Sequence, residues 1–198
     1  MNSIDNLIFS TAYFPPIEYM ALMACCQNAT IEQHETWLRQ TYRNRCRIMT
    51  ANGLLDLSIP VNKPDGNHTL SSHIGISYQT QWQKQHLRSL MSAYQNAPYF
   101  IYYFPELEFV FNKEHKNLFD LNNAILKKLF SLLKLRTNLN FTQSFEKQYQ
   151  AGIDFRYLIS PKNKGYWPPE TYQPIPYYQT FSDRHGFVPG LSILDLLF

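Results

Sequence analysis

The dipeptide Asn52-Gly53 stands between two runs of alternating apolar and polar residues and is the tightest local constraint in the chain. Asn and Gly both tolerate positive φ, so the pair predicts a two-residue type I′ turn and an antiparallel hairpin. With Ala51 set opposite Leu54, Thr50 faces Leu55, Ile48 faces Leu57 and Cys46 faces Ile59. These last six residues, with Val61, form an apolar face. Side chains alternate along a strand, so Arg43, Arg45 and Arg47 share the other face with Asp56 and Ser58. Pro60 suits the end of the second strand.

The rest of the chain predicts helices packed on a sheet. Residues 7–11 read as a short buried strand, broken by Tyr13-Phe14-Pro15-Pro16. Pro16 can open a helix where no amide is needed, and Tyr19, Leu22, Met23 and Cys26 fall at helical spacing across 17–27. A second strand is expected over 29–33. Helices are expected over 79–96, with Thr80 as cap, and over 118–135. Residues 99–104 read as an aromatic strand or turn before Pro105.

Strand, tight loop, helix and strand in succession open an α/β fold, whose site lies at strand carboxyl ends. The expectation is one α/β domain over 1–198, with a mixed sheet that includes the Asn52-Gly53 hairpin. Its body spans 1–137, and an aromatic, proline-rich arm over 138–198 wraps it. That arm holds Tyr166, Trp167, Tyr172, Tyr177 and Tyr178, and linkers lack such aromatics. The chain stops within an apolar run, which leaves room for a few further residues.

Composition narrows the function. Hydrophobic residues make up 44%, aromatics 16% and charged residues only 17% of the 198, which excludes intrinsic disorder. The net charge of +3 is too small for a dedicated nucleic-acid binder, so the expected partner is a small anionic molecule and not a nucleic acid. Three cysteines, Cys25, Cys26 and Cys46, form no CxxC pair and exclude a disulfide framework or a zinc ribbon. The N-terminus has no basic segment and only a short apolar run, so no signal peptide is expected. No stretch approaches the span of a bilayer, and membrane insertion is not expected. A cytoplasmic location follows as an expectation. Walker, Rossmann, G-x-S-x-G and HExxH motifs are all missing from the sequence, so no metal and no cofactor are assigned.

The candidate site residues each have two readings. Arg43 and Arg45 could grip a diphosphate or a carboxylate with their guanidinium forks, or could sit on a solvated strand face, as Arg47 does beside Asp56. His34 lies between carboxylates in Glu32-Gln33-His34-Glu35 and could serve as a general base, or be merely exposed. His86, one turn after Trp82, is a second candidate base or a half-buried core histidine. His68 sits in a polar loop that could close over a ligand. Tyr13, Phe14 and Pro15 form a turn that could wall a pocket, or could simply pack a helix start. Cys25, Cys26 and Cys46 read as core positions.

The stretch from Ser10 to Tyr19 resembles the opening signature of the WbqC-like family, in which a strand runs into a Tyr-Phe-Pro turn and a helix. Tyr42-Arg43-Asn44-Arg45-Cys46-Arg47-Ile48 resembles its Arg-Asn-Arg strand, and Leu57-Ser58-Ile59-Pro60-Val61 the strand after it. Trp82, His86 and Tyr94 resemble its Trp-then-Tyr helix, and Leu118-Phe119-Asp120-Leu121-Asn122 its Leu-x-Asp-Leu-Asn element. The last part, including Asp154-Phe155-Arg156-Tyr157, resembles the version found in Bacteroides-type bacteria. Typical members carry Gln-Pro where this chain has Thr11-Ala12, and often acids where it has Gln33-His34-Glu35.

The resemblance implies a transferase of O-antigen or related surface polysaccharide synthesis, one that acylates or aminoacylates a nucleotide-linked amino sugar, with glycine as one suggested group. It implies that Arg43 and Arg45 hold the diphosphate or an acyl carboxylate, and that Asn44 bonds a hydroxyl or carbonyl. His34, with His86 as substitute, would be the base. Tyr13, Phe14, Pro15, Tyr19, Tyr42, His68 and Trp82 would line the pocket. The alternative is a non-catalytic protein that holds a sugar nucleotide for neighbouring enzymes.

Overall fold

The computed structural model describes residues 4–163 and 173–198. Strand β1 (Ile4–Ser10) carries the buried run Leu7-Ile8-Phe9. A turn then leads into α1 (Ile17–Cys25), with Pro16 as its extended N-cap residue. Helix α1 ends two residues earlier than its apolar spacing suggests, because Cys26 already pairs as the first residue of β2 (Cys26–Glu32). Strands β1 and β2 run parallel, with Phe9 opposite Ile31 and Ser10 opposite Glu32.

Two later strands complete this sheet. β7 (Asn138–Phe141) lies parallel to β2, and β8 (Ile153–Asp154) parallel to β1, giving the order β7-β2-β1-β8. Residues 138–154 therefore belong to the body, and a division at 137 cuts through its main sheet. Four parallel strands bring their last residues to one edge, and open α/β sheets bind ligands at that edge.

The hairpin β3 (Arg45–Thr50) and β4 (Gly53–Ser58) forms a separate two-stranded sheet. Strand directions are thus mixed in the molecule as a whole, but each sheet is uniform. Its register differs from the sequence expectation: Leu54 pairs with Met49, Ile48 with Leu55 and Thr50 with Gly53. The turn residues are Ala51 and Asn52. Of the two expected residues only Gly53 takes positive φ, at +106°, so the turn is not type I′. The Thr50 hydroxyl accepts from the Asn52 amide and donates to the Gly53 carbonyl, which favours the observed closure. Each strand has slipped by one residue, so the sum of partners changes by two and the faces survive. Cys46, Ile48 and Leu57 are buried, while Arg45, Arg47, Asp56 and Ser58 share the outer face. Arg47 pairs directly with Asp56 at 2.7 Å. Arg43 precedes the strand and does not join that face.

A short pair, β5 (Val61–Asn62) and β6 (Gly75–Ile76), closes the base of the polar loop that carries His68. Helix α2 (Trp82–Tyr94) starts two residues after Thr80 and has no side-chain cap. The aromatic run folds as helix α3 (Phe100–Leu107), with Pro105 inside it, followed by α4 (Phe109–Asn112). Helical spacing accounts for this, since Phe100, Phe104, Leu107 and Phe111 are buried while Ile101 and Tyr102 face out. Helix α5 (Leu118–Leu132) is capped by Asn117, whose side chain accepts from the Phe119 and Asp120 amides.

The arm carries α6 (Ser182–His185) and ends in α7 (Ile193–Leu197). The Ser192 hydroxyl donates to the Phe14 carbonyl at 2.9 Å, and the Ile193 amide to Pro15 at 2.8 Å. Asp195 accepts hydroxyls from Tyr94 and Tyr177. Tyr166, Trp167 and Tyr172 lie outside the described residues. Among those described, no helix is long and apolar enough to cross a membrane.

Candidate functional site

The carboxyl edge of the parallel sheet carries an ionic cluster that the low charge content makes conspicuous. Glu32 ends β2, Asp154 ends β8, and the chain continues from β8 to Arg156. Arg156 Nη1 lies 3.0 Å from Glu32 Oε2, and its Nη2 lies 2.6 Å from Asp154 Oδ2. The Glu32 and Arg156 side chains are wholly buried. The other Glu32 oxygen accepts from the Thr142 hydroxyl and from the His34 amide, both at 2.8 Å.

A second group abuts the first. Arg43 Nη2 lies 2.5 Å from Glu35 Oε2, with each side chain 1% exposed. Arg43 also donates to the Thr36 carbonyl at 3.2 Å. The Ser10 hydroxyl, at the end of β1, is 3.0 Å from Glu35 Oε2 and 3.0 Å from the Arg156 carbonyl oxygen. Burial pushes the Glu35 carboxyl above its ordinary value, against the opposing pull of Arg43. The backbone holds Glu35 firmly: its carbonyl accepts from Ser71, and Trp37 donates to Thr69.

Outside this cluster lies an open cleft of about 580 Å³, walled by the loops that follow β2 and β8 and by the loop of His68. Arg39, His68, Arg156 and Lys162 line it, together with Trp37 and Tyr157. A narrow slot of about 20 Å³ shares Thr41, Arg156 and Ile159 with the cleft and reaches Ser10, Tyr19, Tyr42 and Arg43. The Tyr19 hydroxyl donates to the Ser10 carbonyl, and burial raises both tyrosine phenols.

The residues singled out from sequence divide into two sets. Tyr19, Tyr42, Arg43 and His68 line the cleft or the slot. His34 is adjacent, held through its backbone to Glu32, with its Nε2 buried and unbonded among the described residues. The others lie elsewhere. Tyr13, Phe14 and Pro15 are buried in the turn beneath α7. Trp82 is 1% exposed in the core. His86 is packed against Trp82, and its Nδ1 is hydrogen-bonded with the Tyr13 hydroxyl at 3.0 Å. Burial lowers its pKa from 6.5 to about 4, so it is a neutral core imidazole.

The Arg-Asn-Arg strand is taken apart by the fold. Arg43 turns inward to Glu35, Asn44 donates to the Ile59 carbonyl at 2.8 Å, and Arg45 lies on the hairpin face opposite Ser58. Arg43 is thus paired with Glu35, and Arg45 lines neither the cleft nor the slot. Ser10, Glu32, Glu35, Asp154 and Arg156 were not among the candidates. Their signal was positional: Glu32 closes an apolar strand, and the rule for parallel sheets points to such ends. Among the described residues no group of three His, Cys, Asp or Glu side chains is placed to hold a metal ion.

The fold defines an α/β protein with a cleft at the carboxyl ends of a parallel sheet. The model of the WbqC-like protein family matches residues 11–160, and the chain belongs to that family. It is also 27% identical over 212 residues to the uncharacterized protein Rv1507c of Mycobacterium tuberculosis, covering 96% of this chain and 91% of that protein. No solved structure matches.

Proposed function

We propose that this protein is a transferase of surface-polysaccharide synthesis that places an acyl or aminoacyl group on the amine of a nucleotide-linked amino sugar. The observation that carries the reading is the basic lining of the cleft: among the described residues Arg39, His68, Arg156 and Lys162 line it, and no Asp or Glu does. Arg156 is already paired with Glu32 and Asp154. Arg39 and Lys162 have no ion pair among the described residues and are the groups assigned to the diphosphate, in place of Arg43 and Arg45. Tyr157, half exposed at the cleft, offers a ring to the sugar or base. Membership of the WbqC-like family, whose resemblance implies acyl transfer in surface-polysaccharide synthesis, supports the acyl chemistry.

Thermal denaturation with a nucleoside-diphosphate hexosamine tests the reading. A ligand at a hundredfold its Kd adds about 2.7 kcal/mol to stability, a rise of about 5–10 °C in Tm for a chain of this size. The expected result is that rise in the native protein and its loss in the Arg39→Ala, Lys162→Ala double variant. No rise, or an equal rise in the variant, overturns the assignment. Stabilisation without turnover of an activated acyl donor favours a binding protein over a transferase.

A further inference from the structure

The geometry points to Ser10 as a nucleophile that carries the acyl group as an ester, with Glu35 as its base and Arg43 as the cation that orients that base. A nucleophile within hydrogen-bond reach of a base, itself held by a third group, is the arrangement that activates a hydroxyl. Ser10 Oγ is 3.0 Å from Glu35 Oε2, and Arg43 Nη2 is 2.5 Å from the same oxygen. Ser10 and Arg43 line the slot that adjoins the cleft. Ser10 is only half-buried, as an attacking group must be, while Glu35 and Arg43 behind it are each 1% exposed.

Two further observations fit. Arg43 Nε is buried and has no hydrogen-bond partner among the described residues. An unsatisfied buried donor is costly; Arg43 lines the slot, and a turn of its guanidinium that uncovers Nε would give a donor to the oxygen of an acyl carbonyl as it gains charge. Burial raises the Glu35 carboxyl, which makes it a better proton acceptor than an ordinary glutamate. The Ser10 hydroxyl has a competing acceptor in the Arg156 carbonyl, so a rotation of the hydroxyl selects Glu35. His34 and His86 line neither cavity.

The chemistry balances in two halves. In the first, Ser10 Oγ bonds to the acyl carbon of an activated ester or thioester, and its proton passes to Glu35. The bond from the acyl carbon to the leaving group breaks, and the leaving alkoxide or thiolate takes that proton. In the second, the acceptor amine attacks the ester, its proton passes to Glu35, and Ser10 Oγ leaves and is reprotonated. The slot, at about 20 Å³, restricts the acyl group to a short one. The second half rests on the reading given under Proposed function; the first does not.

Incubation of the full chain with p-nitrophenyl acetate, followed by peptide mapping in a mass spectrometer, tests the inference. The expected result is one acetyl group on Ser10, absent in Ser10→Ala and formed at least about a hundredfold more slowly in Glu35→Gln. Ser10→Cys keeps a nucleophile in place and is expected to form a thioester, which guards against an alanine variant that fails to fold. A native protein without an acetyl group on Ser10, or a Glu35→Gln variant that reacts at the native rate, overturns it. An acetylated Ser10 that a nucleotide-linked amino sugar does not discharge keeps the nucleophile and removes the sugar acceptor. Nucleotide-sugar stabilisation with no Ser10 ester does the reverse.

Discussion

Replacing Arg156 with alanine is the most informative single change to the edge cluster. The Arg156 guanidinium and the Glu32 carboxylate are both wholly buried. Breaking a buried pair from one side leaves a charge without compensation, at about 3–5 kcal/mol. Glu32 would still accept from Thr142 and from the His34 amide, and Asp154, 29% exposed, would regain water. The cost should therefore sit at the lower end, about 3 kcal/mol, or about 6–12 °C in Tm. Urea and thermal denaturation of Arg156→Ala, Glu32→Gln and the double variant measure it as a cycle. The double variant should be less destabilised than the sum of the singles by at least about 1 kcal/mol. An Arg156→Ala protein within about 1 kcal/mol of the native one, or strictly additive variants, would refute the reasoning.

Two other changes probe the supports of the site. A Cβ on Gly152 would lie 2.1 Å from the Asn6 carbonyl oxygen, a backbone atom of β1. Gly152→Ala should push β8 away and carry Asp154 and Arg156 with it, at about 1–3 kcal/mol by denaturation; an alanine variant as stable as the native chain contradicts this packing. His86 is held neutral, with its pKa lowered from 6.5 to about 4. A depressed folded value gives stability that is present above pH 6.5 and lost as pH falls through about 4, in total about 3 kcal/mol. His86→Gln should flatten that part of the pH–stability curve, and an unchanged slope would assign the loss to other groups.

Local rules carried the reading of the fold a long way, and they stopped where partners are distant in sequence. Leu7-Ile8-Phe9 and the spacing of α5 are visible as patterns, because burial imposes them on neighbours. β7 and β8 are not. β8 is two residues long, and its partner Leu7 lies far back in the chain. The hairpin shows a finer limit. Asn52-Gly53 announces a turn, but the Thr50 hydroxyl decides which two residues form it. At the site, Arg43 was legible as an anion-binding residue type. Its inward course was not, because strand alternation was extended two residues beyond the start of β3. Arg156 and Glu32 meet across 124 positions, a separation at which no spacing rule operates.

The docking of α7 on the first turn has a consequence for how the chain is made. Phe14 sits at a φ of +38°, an unfavourable region for a bulky residue. The carbonyls of Phe14 and Pro15 find their partners in Ser192 and Ile193, 178 positions later in each case. A ribosome releases β1, α1 and β2 long before it releases those partners. During that interval the strained turn has nothing to hold it, and β1 has one edge open until β8 emerges. Closure over such distances slows folding and exposes intermediates to aggregation. Ser192 and Ile193 thus lock a turn made 178 positions earlier, and a nascent chain of this protein should need protection until α7 is free of the ribosome.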